Sequence, residues 1–124
     1  MAIPVLKQGE FLIASIQARL TDMDLVRLRD DLARMVGLHR SRGVVIDVTA
    51  LDVLDSFASR MLRGIVHTAR LRGAETVVVG LAPDVAIAMV QLGLTLDGVQ
   101  TGLDLEEGLA ILRRATKKGV RRAR

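Results

Sequence analysis

The sequence predicts an α/β domain built on a mixed sheet of about five strands with about four helices. Three observations predict it. Two short β-type stretches open the chain, split by a turn-like tetrapeptide. Beyond them, β-branched runs alternate with segments whose apolar residues recur at helical spacing. Glycine or proline marks most of the joints. The length agrees: 124 residues, half of them hydrophobic, are enough for one domain with a real core and leave no room for a second.

Ile3–Leu6 and Phe11–Ile16, separated by Lys7-Gln8-Gly9-Glu10, are expected as antiparallel neighbours. Thr21-Asp22-Met23-Asp24 supplies capping residues to a first helix. Its inward face carries Leu25, Leu28, Leu32 and Met35 or Val36, and Gly37 or Gly43 is expected to close it. Arg27 with Asp31, and Asp30 with Arg34, stand as i,i+4 pairs on the outer face. Val44-Val45-Ile46-Asp47-Val48 is the continuous run of a strand buried on both faces. A loop from Thr49 to Asp55 leads into a second helix, from about Ser56 to Leu71, that stops at Gly73. Thr76–Gly80 is another buried-type strand, parallel to the previous one across a right-handed crossover. Pro83 suits the first turn of a third helix that runs to Gly93. Leu96–Thr101 is a weak last strand. Asp104 caps a final helix, with Glu106 and Glu107 at its positive end and Leu105, Leu109 and Leu112 inward.

Composition removes several classes of function. With no cysteine there are no disulfides, thiolate metal sites or thiol nucleophiles. No apolar run approaches the roughly 20 residues of a membrane span. Met1–Lys7 lacks the layout of a secretory signal, so a soluble, cytoplasmic protein is expected. Phe11 and Phe57 are the only aromatic residues, which leaves little material for stacking on bases, sugars or a flavin. The net charge of +4 conceals an asymmetry. Arg113, Arg114, Lys117, Lys118, Arg121, Arg122 and Arg124 place seven positive charges in the last twelve residues, whereas residues 1–112 hold eleven basic and fourteen acidic residues, a net of −3. Such a tail could hold RNA or an anionic surface by charge alone. The simpler reading is a solvated helix end whose charge suits the C-terminal dipole.

Catalytic motifs are missing. The phosphate-cradling loops GxGxxG and GxxxxGK[ST] and the GxSxG elbow do not occur. His39 and His67 are isolated, without a ligand partner at helical spacing. Asp47, Asp52 and Asp55 do cluster beside the carboxyl end of the central strand, where α/β sheets place their sites, and a trio of this kind could hold Mg²⁺ for phosphoryl transfer. Yet Lys7, Lys117 and Lys118 are the only lysines, so none in the body would neutralise a phosphate. Neither a metal nor a cofactor is expected, and catalysis is not.

The informative segment is Asp52-Val53-Leu54-Asp55-Ser56-Phe57-Ala58-Ser59-Arg60. On one reading, Asp55 or Ser56 is simply a helix N-cap. On the other, Ser56 is a phosphoacceptor: a phosphate there meets free backbone N–H groups and adds about −1.5 to −2 charge beside Asp52 and Asp55. A partner docked on that surface, Phe57 included, would then be repelled. Ser59, expected at N3 with a bond back to the cap, is the less favoured acceptor. Arg60, Arg63, His67 and Arg70 form a basic stripe, either solvated or set against an acidic face of a neighbouring subunit such as its Asp30 and Asp31.

Val45-Ile46-Asp47-Val48-Thr49-Ala50-Leu51-Asp52-Val53-Leu54-Asp55-Ser56-Phe57 resembles the core signature of STAS domains, the anti-sigma factor antagonist family. Val79-Gly80-Leu81-Ala82-Pro83-Asp84-Val85-Ala86-Ile87, followed by Leu92-Gly93-Leu94, is similar to that family's second block. The resemblance runs from about Ile3 to Leu112 and implies a SpoIIAA-like domain over 1–112, with 113–124 a basic extension of the last helix or a tail outside the pattern. The subgroup it resembles is the RsbS-type antagonist, the small subunit of the bacterial stressosome. Phe57-Ala58-Ser59 follows the Asp-Ser pair here, where the simpler anti-anti-sigma factors usually continue Ser/Thr-Gly-Leu. The resemblance implies a non-catalytic scaffold that co-assembles with larger STAS-domain paralogues, sequesters a switch serine/threonine kinase, and releases it once the residue matching Ser56 is phosphorylated. A second acceptor threonine found in the larger paralogues falls at about Ala88, which cannot take a phosphate. Homo- or hetero-oligomers are expected; membrane and nucleic-acid partners are not. Two alternatives stay open: a simple anti-anti-sigma factor that binds an anti-sigma kinase, and a nucleic-acid or anionic-surface binder acting through the tail.

Overall fold

Five strands form one sheet in the order β1-β2-β3-β4-β5. They are β1 (Val5–Gln8), β2 (Phe11–Ser15), β3 (Gly43–Asp47), β4 (Glu75–Val79) and β5 (Gln100–Gly102), with four helices between and after them: α1 (Asp22–His39), α2 (Ser56–Leu71), α3 (Pro83–Gln91) and α4 (Leu105–Arg122). The structure is a computed structural model that describes residues 3–17, 20–94, 96 and 98–122, with side chains described to Thr116. β1 and β2 are antiparallel, in the register Val5↔Ala14 to Gln8↔Phe11. The other three pairings are parallel, with Ile13↔Val45, Val45↔Val77 and Val78↔Thr101 in line. The mixed α/β sheet read from the sequence is thus the one observed.

The pleat explains why the central strands read as unbroken apolar runs. Leu12, Ala14, Val44, Ile46 and Val78 face the larger core, shared with Leu25, Leu28, Leu32 and Val36 of α1 and with Leu62, Ile65 and Ala69 of α2. The alternate residues Phe11, Ile13, Val45, Val77 and Val79 face Leu112, Leu109 and Leu105 of α4. Helices on both sides leave the central strands no solvated face, so alternation disappears.

Local differences have local causes. Only Gly9 and Glu10 turn the first hairpin, with Gly9 at φ +60, so Lys7 and Gln8 stay in β1. The strand therefore lies two residues later than Ile3–Leu6, and Ile3 is buried just outside it. Thr21 caps α1 through a reciprocal box: its hydroxyl accepts the Asp24 N–H at 3.1 Å, and the Asp24 carboxylate accepts the Thr21 N–H at 3.0 Å. That bond from the Thr21 N–H is the main reason the Asp24 carboxyl titrates below the usual aspartate range. Neither glycine closes α1. Arg40 does, in the left-handed region at φ 50. Gly37 instead sits inside the helix under the Arg72 guanidinium, which occupies the space of a Cβ, and Gly43 opens β3 pressed between Phe11 and Leu112. The exposed ion pairs on α1 are Arg29–Asp30 at 3.1 Å and Arg34–Asp31 at 3.7 Å, rather than the i,i+4 pairs. β5 is shorter than Leu96–Thr101. Val99 N–H donates to Leu96 O at 3.0 Å and Gly98 takes φ +76, so the chain is still turning there. Thr95 and Asp97 of that stretch lie outside the described residues. Asp104 caps α4 as expected, accepting the Glu107 N–H at 2.9 Å. Among the described residues no helix is long and apolar enough to cross a membrane.

Candidate functional site

The loop between β3 and α2 is built from its two ends inward. At the β3 end, the Asp47 carboxylate accepts the Thr49 N–H at 2.9 Å and also the Thr49 hydroxyl. Gly80 lies against this turn at φ +81, where a side chain would strike Thr49 Oγ1 and crowd Asp47. At the middle, Leu51 and Leu54 are buried in the larger core. Two inward leucines three positions apart turn the intervening pair outward, and Asp52 is exposed while Val53 is 74% exposed.

At the far end, Asp55 is the N-cap of α2, with extended backbone (φ −80, ψ 179) and a carboxylate that accepts the Ala58 N–H at 2.8 Å. This decides between the two cap candidates. Ser56 is the first helical residue, exposed, with no capping duty. Ser59 is corrected in the same step: it is N4, one residue past the expected N3, and its hydroxyl is fully buried with no hydrogen-bond partner. Phe57 is half-buried and packs on the larger core, so it belongs less to the surface than Asp52, Asp55 and Ser56 do.

Across from this loop stands α3. Asp52, Val53, Asp55 and Ser56 line a cleft of about 260 Å³ with Asp84 and Ala88 opposite, and Leu92 and Leu94 at its end. Beside it Ile87, Val90 (74%) and Leu92 (71%) are exposed. The sequence reading assigned none of these to the site. Their signal was an apolar excess: Val85, Ile87, Met89 and Val90 crowd a nine-residue helix of which only Val85 and Met89 are buried.

The acidic trio does not converge. The Asp47 carboxylate is engaged by Thr49 and that of Asp55 by Ala58. Among the described residues no three His, Cys, Asp or Glu side chains are grouped to hold a metal ion. The basic stripe is divided. Arg70 is tied down by the Gly98 carbonyl at 3.2 Å and by Glu75 at 3.7 Å, whereas Arg60 and His67 are exposed and Arg63 half-exposed, without an ion-pair partner among the described residues. Of the tail, Arg113 and Arg114 are exposed and unpaired among the described residues; the side chains of Lys117, Lys118, Arg121 and Arg122, and all of Arg124, lie outside them.

The sequence profile of the STAS domain matches residues 2–108. The RsbT co-antagonist protein RsbRA of Bacillus subtilis is 32% identical over 83 residues, which are 67% of this chain and 30% of that protein. RsbRC of the same organism is 25% identical over 92 residues, 72% of this chain and 33% of that protein. The chain therefore spans about a third of the curated relatives it matches. Among solved structures, Moorella thermoacetica RsbS, in a form with one serine replaced by glutamate, is 32% identical with a TM-score of 0.80, covering 93% of this chain and 97% of that one. A chain of the stressosome, described as a signal integration and transduction hub, is 34% identical with a TM-score of 0.78, covering 91% and 98%. Unphosphorylated SpoIIAA, at 12% identity and a TM-score of 0.68, shares the fold.

Proposed function

The chain belongs to the STAS domain family, and from that membership we propose that it is a non-catalytic scaffold and antagonist in a stressosome-type signalling assembly in the cytoplasm. It holds a switch serine/threonine kinase and releases it when Ser56 is phosphorylated. Its partners are that kinase and larger STAS-domain paralogues. The relatives RsbRA and RsbRC are named for co-antagonism of RsbT, so an RsbT-type protein is the partner to test first. The domain spans 1–112, and the basic stretch that follows continues α4 as far as Arg122.

The observation that carries the reading is the division of labour at the start of α2. Asp55 caps the helix, so the exposed Ser56 hydroxyl is left free at the lip of an apolar cleft. A phosphate there leaves the fold undisturbed and changes the charge of the lip. Asp52, Asp55 and Asp84 already surround it. Each added negative charge makes this surface more costly to desolvate against a partner. The serine-to-glutamate RsbS structure supports the reading by likeness: that domain keeps the same fold with a carboxylate in place of a serine.

The test is a pull-down of the purified RsbT-type kinase by the parent chain, Ser56→Ala and Ser56→Asp. Ser56→Ala is expected to bind the kinase and retain it in the presence of ATP, and Ser56→Asp to bind poorly. Equal retention by both variants overturns the switch.

A further inference from the structure

A phosphate on Ser56 would enter a crowded electrostatic setting. Asp52 and Asp55 flank it on the loop, Asp84 faces it from α3, and Asp22 of α1 shares a second cleft with Asp55. Neither the loop from Thr49 to Asp55 nor the stretch from Pro83 to Leu94 contains a lysine or arginine. The nearest cation along α2 is Arg60, four residues on. Both residues are exposed, and Arg60 has no ion-pair partner among the described residues.

The helix itself aims one at the other. Residues at i and i+4 are surface neighbours, and a long side chain leans toward the helix N-terminus, over the turn that precedes its own Cα. For Arg60 that preceding turn begins at Ser56. The acid-before-base order is also the favourable one for such a pair. Arg63, at i+7, is two turns away and half-buried. Arg70 is already engaged by Glu75 and Gly98.

We propose that Arg60 is the counter-ion of phosphorylated Ser56: modification draws this guanidinium toward the lip of the cleft and off the basic stripe it forms with Arg63 and His67. The inference rests on the proposed phosphorylation of Ser56. It gives that event a second consequence, since the stripe loses a free positive charge as the lip gains negative ones.

The full-length chain carrying phosphoserine at position 56, installed during synthesis so that no kinase is needed, is titrated by phosphorus NMR. Replacing Arg60 with alanine is expected to raise the second phosphate pKa by about 0.3 pH unit, because a neighbouring cation favours the dianion. Arg60→Lys is expected to keep the parent value, and Arg63→Ala to leave it unchanged. The Arg60→Ala difference is expected to fade toward about 1 M salt. Arg60→Gln serves as a second neutral variant. An unchanged titration in both neutral variants, or an equal shift from Arg63→Ala, overturns the ion pair. A kinase that fails to modify Ser56 counts against the proposed function and leaves this titration as informative as before.

Discussion

The Asp55 carboxylate accepts the Ala58 N–H at 2.8 Å, and that one bond separates the structural duty at the head of α2 from the adjoining serine. Had Ser56 been the cap, its hydroxyl would be occupied, and modifying it would alter the cap as well as the surface charge. With Asp55 in that place, stability and modification fall to neighbouring residues and can be measured apart.

Asp55→Ala is therefore expected to destabilise the domain by about 1 kcal/mol, the usual worth of an N-cap, with Asp55→Asn close to the parent. Ser56→Ala is expected to change stability by less than about 0.5 kcal/mol. Urea unfolding of the three variants checks the order. A larger loss from Ser56→Ala than from Asp55→Ala would reverse the cap assignment.

The two serines of this segment should also separate chemically. Ser59 has a buried hydroxyl without a partner, so Ser59→Ala removes an uncompensated polar group and is expected to be neutral or stabilising by about 1 kcal/mol. Phosphate incorporation by the proposed switch kinase should persist in Ser59→Ala and vanish in Ser56→Ala. Phosphopeptide mapping after the reaction identifies the acceptor.

Gly80 holds the turn after β3 by having no side chain. Gly80→Ala places a methyl against Thr49 Oγ1 at φ +81 and is expected to destabilise by about 1–3 kcal/mol. Adding Thr49→Ser leaves the hydroxyl in place and should recover little. Adding Thr49→Ala removes the hydroxyl clash, and the backbone strain together with the close approach to Asp47 Oδ1 and Thr49 Cβ should leave a persistent deficit in Tm.

Acid stability reports the α1 capping box. The Asp24 carboxyl titrates lower in the fold than its ordinary 3.8, chiefly through the Thr21 N–H. A lowered folded value means that its contribution is fully present above the unfolded pKa and is lost as pH falls through the folded one. Asp24→Asn should therefore flatten the acid limb of the stability curve below about pH 4, while at neutral pH it is the less stable protein. Urea midpoints measured across that limb decide it. Parallel acid limbs would remove Asp24 from the account.

How far the sequence spoke depended on whether each feature has a local chemical signature. The start of α2 at Ser56 was readable because Asp and Ser are capping residues. The end of α1 was not, because its closing residue is Arg40 in a conformation ordinarily marked by glycine or asparagine. β1 was misplaced because Ile3 is buried without being in the strand, so burial and pairing diverge there. At the site, Asp52, Asp55 and Ser56 were found from adjacency in the chain. Asp84, Ala88 and Leu92 reach the same cleft only through the tertiary fold, and no spacing rule announces a neighbour about thirty residues away. The burial of Ser59 follows from the inward face of α2 it shares with Leu62 and Val66, where Asp55 as the cap makes it N4 rather than N3.

Because β2, β3, β4 and β5 run in one direction, each helix that follows them begins at the same rim of the sheet. The surroundings of Ser56 are thus assembled from three crossovers that are distant in sequence: the approach to α1 with Asp22, the Thr49–Asp55 loop, and the head of α3 with Asp84. Exposed positions such as Asp52 and Asp84 take no part in the sheet, so they can change while the Gly80–Thr49 contact and the Asp55 cap hold the crossovers in place. Copies of such a domain can keep one chassis and diverge in whom they recognise by exchanging a few short connections.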